Sequence, residues 1–126
     1  MEIIIDTNTL IYSAKEKNDL FALINERYPH AKIIIPEEVL KEVEKIKEFA
    51  DKFKERKAAS LILQILEIKN FKKIKMGEGL VDDRLIKEGL SRNAYVLTAD
   101  KFLKGKLKKA GVKTMYLKQK RIIEVD

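Results

Sequence analysis

The chain has 126 residues, enough for one domain with a proper core, and 45% of them are hydrophobic and 37% charged, as in a soluble globular protein. The absence of cysteine excludes disulfides, thiolate chemistry and cysteine-based zinc sites. No apolar run approaches the ~20 residues that a membrane span needs, and the start Met1–Glu2–Ile3 lacks the pattern of a signal peptide. We therefore expect one domain over residues 1–126, in the cytoplasm and without membrane contact.

The charge is basic and unevenly distributed. Lys and Arg total 27 against 20 Asp and Glu, a net charge of +7. No acid interrupts the basic stretch that begins at Lys101, and five of its lysines fall on one predicted helix: Lys101, Lys104, Lys106, Lys108 and Lys109. Such a field attracts a phosphate backbone without reading its sequence, although lysine-rich faces also serve solubility alone.

Strand and helix patterns alternate along the chain. In order, they predict strand 2–6, a helical turn at 10–14, helix 20–27, strand 32–35, a helix from 37 to 50, helix 54–69, strand 71–75, helix 82–92, strand 95–98, helix 101–110, and strands 113–117 and 121–125. The last two strands suggest a hairpin at a sheet edge. This alternation predicts an α/β fold, with a mostly parallel sheet covered by helices on both faces.

Acidic residues follow two of the predicted buried strands. Asp6 comes directly after Ile3–Ile4–Ile5, and Asp100 comes shortly after Tyr95–Val96–Leu97–Thr98. Each could simply cap the helix that follows, since aspartate is favoured at that position. However, the carboxyl ends of parallel strands meet at one edge of a sheet, where ligands collect.

Two further acidic positions belong to helices. Projected at ~100° per residue, Glu42 lies on the flank of the apolar stripe that contains Val39 and Val43, where it could reach a cleft or remain a surface charge. The pair Asp82–Asp83 opens the helix 82–92, and capping by one of them leaves the other unexplained.

Acids that converge on one edge need cations to hold them together. Clustered carboxylate oxygens are hard ligands and favour Mg²⁺ or Mn²⁺. Together with the lysine excess, the pattern indicates a metal-dependent nuclease in which a metal-activated water attacks the phosphodiester.

Four segments in this order resemble the PIN (PilT N-terminal) domain family: Ile5–Asp6–Thr7–Asn8–Thr9–Leu10, Ile35–Pro36–Glu37–Glu38–Val39–Leu40–Lys41–Glu42–Val43, Val81–Asp82–Asp83–Arg84–Leu85–Ile86 and Val96–Leu97–Thr98–Ala99–Asp100–Lys101. The resemblance is strongest to archaeal relatives of ribosomal-RNA-processing endonucleases and more distant to VapC-type toxins. It covers nearly the whole chain.

The resemblance implies a three-layer α/β/α sandwich and Mg²⁺- or Mn²⁺-dependent cleavage of single-stranded RNA. It matches the metal-binding acids of the family to Asp6, Glu42, Asp82 or Asp83, and Asp100, with Asp83 at the position used by the toxins. Asn8 and Thr98 match the polar residues that support these acids. One position departs from the pattern: many relatives carry a further acid where this chain has Phe102, which weakens the case for a second metal ion.

Several alternatives stay open at this point. A non-catalytic RNA-binding or ribosome-assembly module could keep the fold with a degenerate site. A phosphatase of the haloacid dehalogenase type is faintly suggested by Asp6–Thr7–Asn8–Thr9, although Asn8 stands where that chemistry needs an acid. The partner of a nuclease could be an antitoxin, a ribosome-assembly factor or a second copy of the chain, and the sequence does not separate toxin from RNA maturation.

Overall fold

A computed structural model describes all residues, from Met1 to Asp126. Its strands are β1 (Glu2–Ile5), β2 (Lys32–Pro36), β3 (Lys72–Ile74), β4 (Tyr95–Thr98), β5 (Lys113–Lys118) and β6 (Arg121–Val125). Its helices are α1 (Thr7–Lys15), α2 (Leu20–Arg27), α3 (Glu37–Phe49), α4 (Phe53–Ile68), α5 (Val81–Arg92) and α6 (Lys101–Lys109). No helix is both long enough and apolar enough to cross a membrane.

The six strands form one sheet in the order β3-β2-β1-β4-β5-β6. The first five run parallel and β6 returns antiparallel to β5, so the predicted edge hairpin is confirmed. Ile3, Ile4 and Ile5 of β1 are fully buried, because helices cover both faces of this central strand. One apolar cluster lies on each face of the sheet. The predicted three-layer α/β/α sandwich is therefore confirmed.

Helix α4 turns part of its apolar surface towards solvent. The helical spacing of the sequence puts Leu61, Ile65 and Ile68 on one side, and on this side Leu61 is 40% exposed and Ile68 is 81% exposed. The buried side carries two alanines in its first half, Ala58 and Ala59. Small side chains let α4 approach α1 and α3 closely, and this contact fixes the rotation of the helix.

The order of the strands determines where the acidic residues lie. Helices α1, α3, α5 and α6 each follow a parallel strand, so all four begin at the carboxyl edge of the sheet. Asp6 and Asp100 are the N-caps of α1 and α6. The N-terminal ends of these helices carry partial positive charge, which stabilises carboxylates placed there.

Candidate active site

Asp6 is the most buried acid of the chain, with 3% of its surface exposed. Its Oδ1 accepts hydrogen bonds from the backbone N–H of Thr9 at 3.0 Å and from the Thr9 hydroxyl. Its Oδ2 accepts a hydrogen bond from the Thr98 hydroxyl at 3.0 Å. Burial raises the pKa of Asp6 to about 6, with the charge of Asp100 adding to the rise and the bonds from Thr9 and Thr98 opposing it.

Asp100 is tied to Asp6 through Thr98. Its carboxylate accepts hydrogen bonds from the backbone N–H groups of Phe102 at 2.7 Å and Leu103 at 3.2 Å. The backbone N–H of Asp100 donates to the Thr98 hydroxyl at 3.1 Å. Because that hydroxyl also donates to Asp6, Thr98 links the two acids and sets their separation.

Thr9 has a role that the sequence reading missed. Its hydroxyl accepts a hydrogen bond from the backbone N–H of Ala99 at 2.9 Å and donates to Asp6. The available signal was its position three residues after an N-cap aspartate, where a side chain can bond back to the cap. The neighbouring Asn8, which the family pattern favoured, is exposed and makes no side-chain hydrogen bond within the chain.

Glu42 and Asp82 form the second acidic pair. Glu42 is half-buried on the second turn of α3, and Asp82 is half-buried on the first turn of α5. Burial raises the pKa of Glu42, and the Asp82 charge raises it further, while Thr7 and Lys45 act in the opposite direction. The Thr7 hydroxyl is near enough to influence that pKa, yet neither it nor Glu42 Oε1 completes a hydrogen bond, although both atoms are buried.

The structure distinguishes Asp82 from Asp83. Asp83 is exposed, and its charge does not contribute to the shifted pKa of Asp6 or of Glu42. Neither aspartate caps α5, which corrects the expectation that one of them would, because Leu80 occupies the N-cap position and offers no side-chain acceptor. Asp82 is therefore the member of the pair that approaches Glu42.

Glu38 holds the loop that leads to Asp82. Its carboxylate accepts hydrogen bonds from the backbone N–H of Met76, at 3.1 Å to each oxygen, and from that of Gly77 at 3.0 Å. Burial works to raise the pKa of Glu38, but these backbone bonds, its own amide and Lys41 outweigh burial and lower it. Glu38 thereby fixes the start of α5 against α3. Sequence periodicity gave no sign of this role.

The carboxylates form two pairs, Asp6 with Asp100 and Glu42 with Asp82. No three acidic or histidine side chains stand close enough together to surround one ion. Mg²⁺ commonly binds through one or two carboxylates and keeps several waters, so a pair meets its requirement. The buried Glu42 Oε1 without a partner and the raised pKa of Asp6 both fit oxygen ligands for a hard cation.

The basic residues of α6 adjoin this edge, because the helix begins next to Asp100. Lys101, Lys108 and Lys109 are exposed. Lys104 and Lys106 are steadied by aromatic rings, with Lys104 Nζ 4.2 Å from the ring centre of Tyr116 and Lys106 Nζ 5.6 Å from that of Phe102. The predicted basic field therefore lies on the helix that Asp100 caps.

A surface depression of about 690 Å³ lies away from the acids. It includes Lys32 and Lys72, the first residues of β2 and β3, and therefore lies at the amino edge of the sheet. No acidic residue lines it.

A mostly parallel α/β/α sandwich with paired acids at its carboxyl edge places those acids where open α/β sheets bind their ligands. The sequence profile described as "PIN like domain" matches residues 3–120, and the chain belongs to this family. The resemblance inferred from the four motifs is thereby confirmed, and the phosphatase alternative is set aside.

Two relatives in sequence are archaeal. The chain is 31% identical over 123 residues to Ribonuclease VapC9 of Archaeoglobus fulgidus, covering 98% of this chain and 87% of the relative. It is 33% identical over 128 residues to Ribonuclease VapC4 of Methanocaldococcus jannaschii, covering 98% and 95% of the two chains.

Solved structures show the same fold. The PIN domain endonuclease Utp24 superposes with a TM-score of 0.77 at 23% identity, covering 98% of this chain and 90% of that one. VapBC2 from Rickettsia felis, bound to a DNA fragment from its promoter, superposes with a TM-score of 0.62 at 16% identity, covering 87% and 93%.

Proposed function

We propose that this chain is an endoribonuclease that cleaves single-stranded RNA with the help of Mg²⁺ or Mn²⁺. The observation that carries the proposal is the link between Asp6 and Asp100 through Thr98, together with a second acidic pair in which Glu42 has a buried, unpartnered oxygen. Relatives named as ribonucleases support the reaction class.

The side chains of the protein would position a metal ion and supply the negative charge that binds it. Two acidic pairs could each hold an ion, Asp6 with Asp100 and Glu42 with Asp82, and a bound ion would supply an activated water and offset charge on the phosphate. Thr9 and Thr98 keep Asp6 oriented, and they oppose protonation of a carboxylate whose burial favours it. Hydrolysis by water would leave 5′-phosphate and 3′-hydroxyl ends.

The lysines of α6 would hold the RNA backbone beside these acids. Lys104 is the best-fixed of them, because the Tyr116 ring lies 4.2 Å from its ammonium group. No side-chain nucleophile is required, which suits a chain whose only histidine, His30, is exposed in the turn before β2.

The test is cleavage of a labelled single-stranded RNA with and without Mn²⁺. We expect Mn²⁺-dependent cleavage by the native protein and none by Asp6→Asn, with RNA binding retained. Asp19→Asn is the matched control, because Asp19 caps α2 through Ala22 N–H at 3.0 Å but stands away from the acidic edge. RNA binding without any Mn²⁺-dependent cleavage would favour the non-catalytic module instead.

Two biological roles use this same chemistry. The VapC names of the sequence relatives favour a toxin restrained by an antitoxin, and the motifs noted above are also compatible with RNA maturation alongside a ribosome-assembly partner. We favour the toxin role because the sequence identity to the VapC relatives is higher than that to Utp24. Growth arrest on expression, relieved by a neighbouring gene product, tests it.

A further inference from the structure

Phe102 is an aromatic residue that the fold leaves in solvent beside the candidate active site. Its side chain is 72% exposed, and it belongs to neither apolar cluster. Its backbone is held in place, because the Phe102 N–H donates to Asp100 Oδ1 at 2.7 Å. Phe102 therefore lies two residues along the chain from Asp100, an acid of the candidate site.

The surroundings of this ring are cationic. Lys106 Nζ lies 5.6 Å from the Phe102 ring centre, one helical turn further along α6. Lys101 and Lys104 flank the same turn, and the latter is held by Tyr116. An exposed aromatic ring among lysines matches a nucleic acid strand, which presents flat bases and phosphates together.

Gly105 provides an independent observation. Glycine inside a helix is unfavourable relative to alanine, so it usually has a steric or backbone reason. Gly105 has neither, since an added Cβ would meet nothing within 4 Å and its φ is not positive. Gly89 shows the contrast, because a Cβ there would lie 2.7 Å from Val112 Cγ1.

Gly105 lies three residues after Phe102, and residues spaced in this way are neighbours on a helix surface. Its missing side chain leaves bare space beside the ring, on a helix whose other exposed positions mostly carry lysine. We propose that Phe102 is a stacking platform for an unpaired base of the RNA substrate, and that the gap at Gly105 admits this base. The proposal rests on the proposed function, because it names how that same site holds its substrate.

The experiment measures binding in EDTA, so that cleavage plays no part. Fluorescence anisotropy compares a short oligoadenylate with a ribose-phosphate chain of equal length that carries no bases. Stacking on an aromatic side chain contributes roughly 1–3 kcal/mol per base, so Phe102→Leu should weaken oligoadenylate binding by a factor of about 5 to 150. Binding of the baseless chain should stay unchanged, and Phe102→Tyr should restore the native affinity.

Two further variants sharpen the result. Gly105→Leu should also weaken oligoadenylate selectively, because it fills the space beside the ring. Phe53→Ala is the matched control, since Phe53 is 67% exposed with Arg56 5.8 Å from its ring, yet lies in the first turn of α4. In that turn Glu55 forms an ion pair with Lys15, which lies at the opposite end of α1 from Asp6.

Equal loss of both ligands in Phe102→Leu would overturn the proposal, as would no loss of either. Altered self-association in sedimentation, with unchanged RNA binding, would overturn it in favour of a protein contact. If the native protein cleaves RNA with Mn²⁺ while Phe102→Leu binds normally, this inference fails and the proposed function stands. Selective loss of base binding in a protein that never cleaves RNA would remove only the proposed function.

Discussion

The hydroxyl of Thr98 donates a hydrogen bond to Asp6 Oδ2 at 3.0 Å and accepts one from the backbone N–H of Asp100 at 3.1 Å. The two acids are 94 positions apart in a chain of 126 residues, yet one threonine at the end of β4 sets their separation. This link requires β1 and β4 to be neighbours, which the parallel register Ile5↔Leu97 provides. The order of the strands in the sheet therefore determines the geometry of the site.

Replacing Thr98 should lower both the stability of the fold and the rate of RNA cleavage. Thr98→Val keeps the shape but removes the hydroxyl, so that Asp6 Oδ2 and the Asp100 N–H each lose a partner. Leaving buried polar groups unsatisfied costs about 1–3 kcal/mol, which urea unfolding would measure. RNA cleavage should fall strongly as well.

Thr114→Val is the matched control for this prediction. Thr114, on β5, is 1% exposed, and its hydroxyl donates a hydrogen bond to the Val112 carbonyl at 2.9 Å. It should lose a comparable amount of stability while the folded fraction keeps its cleavage rate. Equal cleavage by both variants would show that Thr98 has no role beyond folding.

Asp6 should make the folded protein less stable as the pH rises. Its pKa is raised to about 6 in the folded state from an ordinary 3.8, so the folded state binds more protons than the unfolded state between these values. Stability from this group is present below pH 3.8 and is lost as the pH approaches 6. In metal-free buffer at pH 7, Asp6→Asn should therefore be more stable than the native protein by about 2–3 kcal/mol.

The measurement is urea unfolding of both proteins between pH 4 and pH 7. The difference in unfolding free energy should grow with pH and level off above about 6. A constant difference across this range would show that Asp6 is not destabilised by burial. Addition of Mn²⁺ should stabilise the native protein and leave Asp6→Asn little changed.

Glu38 should stabilise the loop before α5 in a pH-dependent way. Glu38→Gln removes the charge that accepts bonds from Met76 and Gly77, and we expect a loss of about 1–2 kcal/mol at pH 7. Because the folded pKa of Glu38 is lowered, this contribution is present above its ordinary 4.5 and is lost as the pH falls through the folded value. The two proteins should therefore converge in stability at low pH.

Glu48→Gln serves as the control for this change, since Glu48 is exposed on α3 and makes no ion pair. Faster hydrogen exchange at Met76 and Gly77 in Glu38→Gln alone would support the loop assignment. Unchanged exchange there would contradict it.

The lysines of α6 should determine the salt dependence of RNA binding. Reversing Lys104 and Lys106 to glutamate removes two contacts with the backbone and should flatten the slope of log affinity against log salt by about 1 or more. The same reversal at Lys54 and Lys57, on α4, is the control with equal charge change. Equal effects from both pairs would mean that only net charge matters.

The fold was predictable because its signals are local. Ile3–Ile4–Ile5 reads as a strand buried on both faces, and each acid that ends a strand marks a junction at the carboxyl edge. The places of Asp6 and Asp100 follow from those junctions alone. Both also cap helices, and this capping does not exclude the proposed role in the site, because each carboxylate has a second oxygen.

What the sequence did not predict depends on contacts between distant elements. Whether Asp82 or Asp83 approaches Glu42 depends on the rotation of α5 against α3. The hydrogen bond between Glu38 and the Met76 backbone joins residues 38 positions apart in the sequence. The rotation of α4 depends on its close packing against α1 and α3 through small residues such as Ala58 and Ala59. Each of these features depends on which elements pack together, and the local pattern of one sequence does not specify that.

The most direct test of the account is anomalous diffraction from a crystal of the native protein soaked in Mn²⁺. We predict an ion at the carboxyl edge of the sheet, at about 2.0–2.2 Å from an oxygen of Asp6 or Asp100 and from further carboxylate or water oxygens. An ordered crystal with no manganese peak beside Asp6, Glu42, Asp82 or Asp100 would contradict the account.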